Sequence, residues 1–138
     1  MSVRTPGATC APASAISVVL VDDTPDIRVV VRMALERAGG FEVVGEAGNG
    51  IEGLAQVAEL QPDVVLLDMA MPEMDGLQAA PLIRQACPGA KVVMFSGFRP
   101  AEMRGKALMA GAHCYLQKNG SLKAMVNEVR DCVHGMAC

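Results

Sequence analysis

Short runs of apolar, largely β-branched residues alternate along the chain with longer stretches of helical periodicity. The runs Ser17–Val21, Glu42–Ala47, Val64–Leu67, Lys91–Phe95 and Cys114–Gln117 begin 25, 22, 27 and 23 residues apart, the length of one strand, one helix and short loops. Val18-Val19-Leu20-Val21 and Val64-Val65-Leu66-Leu67 are apolar without alternation, as strands covered on both faces of a parallel sheet should be. The pattern predicts an α/β fold in which a doubly wound, five-stranded parallel sheet lies between two layers of helices. It shows regular spacing without a residue-level repeat, which argues against a solenoid.

The helices carry their own signals. Ile27, Val30, Val31, Ala34, Leu35 and Ala38 follow i, i+3, i+4, i+7, i+8 and i+11, giving one inward face. Thr24 is placed to cap this helix, Pro25 to open it and Gly39-Gly40 to stop it. Leu122, Met125, Val126, Val129 and Val133 repeat the pattern in the last helix, with Ser121 as its N-cap. Two middle helices are interrupted. Pro81 removes a backbone donor within Leu77–Ala86, predicting a bend or a delayed start. Gly105 within Ala101–Ala110 costs about 1 kcal/mol relative to Ala, which makes the fourth helix the softest.

Composition narrows the picture. One domain fits 138 residues, and hydrophobic types at 51% exclude disorder as the main state. Twelve basic against fifteen acidic residues give a net charge of −3, which argues against direct binding to nucleic acid. No apolar run is long enough to span a membrane. Residues 1–15, rich in Pro, Gly, Ala, Ser and Thr, read as a disordered tail without a secretory signal, residues 16–134 as the folded domain, and residues 135–138 as a C-terminal tail. Cys10, Cys87, Cys114, Cys132 and Cys138 are separated by gaps of 77, 27, 18 and 6, matching neither a disulfide framework nor a zinc site. A reducing cytoplasm is the expected compartment, with the thiols as small hydrophobes.

Chemistry collects where the strands end. Ligands of a parallel α/β sheet bind outside its carboxyl edge, and there the chain puts Asp22-Asp23, Asp68, Ser96 and Lys118. With strand order 2-1-3-4-5, the first and third strands are neighbours and their three carboxylates share one crevice. Such a group stays ionised only with a cation among it, and an all-oxygen, solvent-open site suits Mg²⁺ better than zinc. A carboxylate beside Mg²⁺ and a lysine is also a competent phosphoryl acceptor. Asp68 is the candidate acceptor, Ser96 a hydrogen-bond donor to one phosphoryl oxygen, and Lys118 the neutralising charge for another.

The segments "VVLVDDTPDIRVVVRMAL", "PDVVLLDMAMPEMDGL", "VVMFSG" and "GAHCYLQK", in this order between Ser17 and Val133, resemble the receiver domain of bacterial two-component response regulators, a flavodoxin-like fold. The resemblance implies a phosphorylation-dependent signalling switch in which Asp68 takes a phosphoryl group from a sensor histidine kinase or phosphotransfer protein. Asp22, Asp23, Asp68 and the Ala70 carbonyl would then hold Mg²⁺. Ser96 matches the switch hydroxyl, Lys118 the phosphate-pairing lysine, and Tyr115 the aromatic ring that reorients as the hydroxyl moves. An acyl phosphate adds roughly −1.5 to −2 charge, so the surface of helix 4, strand 5 and helix 5 is expected to change. The module is then a phosphoacceptor that assists its own phosphorylation and dephosphorylation, not an enzyme with a separate substrate. Its further partners would be a downstream protein or an excised DNA-binding domain, as in receivers with endings similar to "CYLQKNGSLKAMVNEV", and a second copy on phosphorylation.

Some positions depart from the family. Many receivers follow the lysine with a cis proline; here Asn119 stands instead, and a trans Lys118–Asn119 bond is expected because the cis form costs about 2.5–4 kcal/mol. Ala70 and Phe98 flank the phosphoryl site and are expected to set water access to Asp68. Two rival chemistries fit less well. A haloacid-dehalogenase-like phosphatase wants a second acid where Ala70 stands, and the phosphate of an FMN would be repelled by Asp22-Asp23. Gly45, Gly48 and Gly50 do not make a dinucleotide fingerprint. His113 and His134 lack sequence partners, and Met69, Met71 and Met74 read as loop packing.

Overall fold

The apolar runs pair as five parallel strands in a computed structural model that describes residues 15–118 and 121–134. Strands β1 (Ile16–Val21), β2 (Phe41–Ala47), β3 (Val64–Asp68), β4 (Lys91–Ser96) and β5 (Cys114–Gln117) alternate with helices α1 (Pro25–Ala38), α2 (Gly50–Leu60), α3 (Gly76–Ala86), α4 (Pro100–Ala110) and α5 (Leu122–Val133). The sheet order is β2-β1-β3-β4-β5, as the sequence predicts. The expected tails lie outside the described residues apart from Ala15, and the Lys118–Asn119 bond involves a residue outside them.

The sheet divides the apolar core in two. Val19, Val21, Val65, Leu67, Val92, Met94 and Tyr115 face α2, α3 and α4, while Val18, Leu20, Leu66, Val93 and Leu116 face α1 and α5. All five residues of β3 are buried, the consequence of a central strand covered on both faces. Val18 pairs with Val64 and Val21 with Leu67, so β1 and β3 run in register and their carboxyl ends stop side by side. Among the described residues no helix is long and apolar enough to cross a membrane.

Local signals held with instructive exceptions. Gly39 and Gly40 adopt φ of 82° and 86°, conformations open to residues without Cβ, and so end α1. Thr24 occupies the N-cap of α1, but its hydroxyl makes no capping bond; it points instead at Asp23 Oδ1, 3.5 Å away. On α1, Val31 and Leu35 are buried whereas Val30 is 43% exposed, so the inward face is narrower than its periodicity. Pro81 does not delay α3. An Asp75–Gln78 capping box fixes the start at Gly76, and the helix continues through the proline. In α4 Ala107 is buried and Met109 is 91% exposed, leaving it without a broad apolar face.

One expectation is corrected. Cys114 of β5 and Cys132 of α5 form a disulfide across 6.7 Å between Cα atoms. The helix packs directly on the strand, and that three-dimensional proximity is invisible in a gap of 18 residues. Cys87 is a buried free thiol.

His113, just before β5, has its Nδ1 accepting the Val92 N–H at 3.0 Å, a role for an unprotonated nitrogen. Burial, with the charges of Arg84 and Lys91, holds its pKa below the ordinary value. As pH falls, the unfolded chain takes up this proton near about 6.5, before the folded one, so folded stability declines from there through the lower folded value. Thermal melts between about pH 7.5 and about pH 5 should show a smaller loss of Tm for His113→Gln than for the parent protein. Equal losses would assign the acid sensitivity to other groups.

Candidate functional site

Parallel strands that end together bring their following residues together. Asp22 follows β1, Asp68 ends β3, Ser96 ends β4 and Lys118 follows β5. Carboxylate oxygens of Asp22, Asp23 and Asp68 lie within 4.8 Å of one another. Lys118 enters from the far side, its Nζ 2.8 Å from Asp22 Oδ2 and 3.2 Å from Asp68 Oδ1. The same ammonium stands 5.5 Å from the centre of the Phe95 ring, an additional attraction for a cation. Its backbone is fixed by the Lys118 N–H donating to the Ser96 carbonyl at 2.7 Å.

Asp22 and Asp68 are nearly enclosed, at 5% and 6% exposure, whereas Asp23 is exposed. The Thr24 N–H donates to Asp22 Oδ1 at 2.9 Å, and the Ala70 N–H to Asp68 Oδ1 at 3.3 Å. These contacts leave the electrostatics unbalanced. Burial and the neighbouring Asp22 charge push Asp68 up to about 6, against the opposing pull of Lys118 and the Ala70 N–H. Burial alone would lower the Lys118 pKa, but its bonds and attractions to Asp22 and Asp68 raise it. Three carboxylates and one ammonium sum to two uncompensated negative charges in a crevice with one open side. An all-oxygen donor set carrying that excess fits a hard divalent cation.

Gly76, which opens α3, explains how the loop after Asp68 closes so tightly. A Cβ there would collide with the Asp68 carbonyl oxygen and press on the Met69 Cα, so only glycine lets α3 begin against the end of β3.

Ser96 and Tyr115 meet at another residue. Ser96 is 1% exposed and its Oγ accepts the Phe98 N–H at 3.1 Å. Tyr115 is 8% exposed and its hydroxyl donates to the Phe98 carbonyl at 2.5 Å. The backbone of Phe98 is thus a joint between the two side chains, whereas the sequence drew attention only to the Phe98 side chain, which is 45% exposed.

Of the residues marked in the sequence, the structure gathers Asp22, Asp23, Asp68 and Lys118 into one cluster. It sets Ala70 beside it, and Ser96 and Tyr115 on adjoining strands. Arg28 escaped sequence reasoning. It lies on the first turn of α1 and donates from Nη1 to the Asp22 carbonyl at 2.5 Å; its only sequence signal is a cation six residues after Asp22, among apolar neighbours.

The uncompensated charge has a measurable cost. In metal-free buffer, Asp68→Asn should raise Tm by about 2–6 °C, corresponding to relief of about 1 kcal/mol of repulsion. Millimolar Mg²⁺ should shrink or reverse that difference by stabilising the parent protein selectively. A lower Tm for the variant without metal would show that the carboxylates do not oppose folding.

A family model described as the response regulator receiver domain matches residues 18–130. Response regulator protein VraR of Staphylococcus aureus is 36% identical over 120 residues, which cover 87% of this chain and 57% of VraR. The chain therefore spans a little over half the length of that curated relative. Among solved structures, the signal receiver domain of a response regulator, NarL, from Mycobacterium tuberculosis aligns with a TM-score of 0.83 and 36% identity over 88% of this chain and 98% of that one. A DNA-binding response regulator of the LuxR family from Staphylococcus aureus aligns with a TM-score of 0.79 and 25% identity, covering 86% and 98% of the two chains.

Proposed function

The chain belongs to the response regulator receiver domain family, which serves phosphorylation-dependent signalling in two-component systems, and from that premise we propose that Asp68 is its phosphoryl acceptor. The observation that carries this reading is the convergence of Asp22, Asp23, Asp68 and Lys118 on one crevice. In the proposed step an Asp68 carboxylate oxygen attacks the phosphorus of a phosphohistidine on a partner kinase or phosphotransfer protein. The P–N bond breaks, its electron pair returns to the imidazole, and an acyl phosphate remains on Asp68.

The residues divide the work. Lys118, already 3.2 Å from Asp68, pairs with a phosphoryl oxygen, and Asp22, Asp23 and Asp68 with the Ala70 carbonyl would hold the cation. Magnesium, when bound, would supply positive charge that neutralises the transferring group. Ser96 leaves the Phe98 N–H to donate its hydroxyl to the new anion. Because Tyr115 holds the carbonyl of the same Phe98, that exchange alters the β4–α4 loop and, through it, α4. A rearranged α4-β5-α5 surface is the output.

The greater length of VraR, of which the match covers 57%, and the description of the LuxR-family relative as a DNA-binding response regulator favour a regulator in which this domain controls an attached DNA-binding unit. Its partners are then the kinase that supplies the phosphoryl group and a second copy that pairs on phosphorylation. The chemistry is a single modification of the protein itself.

Incubation with a small phosphodonor and Mg²⁺ should add one hydroxylamine-labile phosphoryl group by intact-mass measurement, and Asp68→Asn should abolish it. Chelating the metal should slow labelling by at least about 100-fold, as expected when transition-state charge is left unneutralised. Labelling of the variant at the parental yield would remove Asp68 as the acceptor.

A further inference from the structure

Arg28 joins three elements around the acidic pair. Its N–H donates to the Thr24 carbonyl at 3.2 Å, closing the first turn of α1. The side chain then folds back toward the strand ends. Nη1 donates to the Asp22 carbonyl at 2.5 Å, and Nε to Glu46 Oε1 of β2 at 3.0 Å. The other Glu46 oxygen is bonded by Arg32 one turn later. A rigid planar fork can bind two acceptors in fixed directions at once, as a lysine cannot.

The two aspartates differ in how much they need this support. The Asp22 carboxylate is fixed by Lys118 and the Thr24 N–H. Asp23 is exposed, and its bond in the structure is the 3.5 Å contact from Thr24 Oγ1. Its position therefore depends on the peptide that begins at the Asp22 carbonyl, which is the group Arg28 holds. We infer that Arg28, tethered by Glu46, is a positioning residue that aims Asp23 at the divalent cation. The inference rests on the cation role proposed above.

Charge and geometry make opposite demands here, which renders the proposal decisive to test. A guanidinium near a cation site repels the cation, so removing it would tighten binding if charge were all that mattered. If positioning dominates, removal weakens binding despite the favourable change of charge. Groups that orient a metal ligand commonly contribute about 10–100-fold in affinity.

Mg²⁺ titrations followed by calorimetry and by amide NMR shifts of the β1–α1 loop should show about 10-fold weaker binding for Arg28→Gln. Arg28→Lys, which keeps the charge and one donor, should recover part of the loss, and serves as the test if the glutamine variant does not fold. Arg32→Gln loses the other arm of Glu46 without touching Asp22, so it should bind Mg²⁺ as the parent does. Unchanged or tighter binding by Arg28→Gln, or equal weakening by Arg32→Gln, would overturn the proposal. The phosphoacceptor reading fails separately: parental protein that binds Mg²⁺ but takes no phosphoryl group would end that reading while leaving the effect of Arg28 intact.

Discussion

Like charges forced together at the end of a parallel sheet govern this molecule. Asp22 and Asp68 are buried side by side and share one ammonium, and the exposed Asp23 stands beside them. In a partly enclosed crevice such repulsion is weakly screened, and after burial, the larger cause, it contributes to the raised pKa of Asp68. The architecture sustains the conflict because the strands that carry the acids are themselves strongly held. Leu67 is fully buried and Val21 nearly so, so the backbone cannot relax to separate them. Apolar burial thus keeps a site whose electrostatics oppose the same arrangement, and the excess negative charge suits the crevice to a hard cation.

The same edge distributes the consequences of filling the crevice. Lys118 is bonded through its backbone to Ser96, and Ser96 and Tyr115 hold the two peptide groups on either side of the Phe98 Cα. Hydrogen bonds between neighbouring strand ends therefore connect Lys118 to the β4–α4 loop. The helix that follows is poorly anchored by apolar contacts, with Ala107 as its buried residue and Met109 almost wholly in solvent. Sparse apolar burial of this kind goes with low local stability.

Much of this was legible in the chain. Unbroken apolar runs such as Val64 to Leu67 announce strands buried on both faces, and their spacing leaves room for a helix between each pair, as parallel connections need. Asp22, Asp23, Asp68 and Lys118 could be placed because each stands directly at or after a strand end, where strand order alone sets the neighbours. What escaped depends on side-chain direction or on packing between distant elements. Val30 fits the α1 period yet faces solvent because the stripe that α1 buries is narrower. Thr24 is a good capping residue, but its hydroxyl points at an adjacent carboxylate. The pairing of Cys114 with Cys132 and the reach of Arg28 to both Asp22 and Glu46 require knowing which helix lies over which strand.

The division of the core by the sheet has a further meaning. Successive residues of β5 serve opposite layers: Tyr115 packs with the α2, α3 and α4 side, while Cys114 and Leu116 pack with α1 and α5. The ring of Tyr115 therefore bears directly on one layer, and the residues on either side of it bear on the other. The two broad sides of the molecule thus meet at one edge strand, which the Cys114–Cys132 disulfide ties to α5 while the neighbouring tyrosine packs with the α4 side, so β5 is a seam shared by both layers.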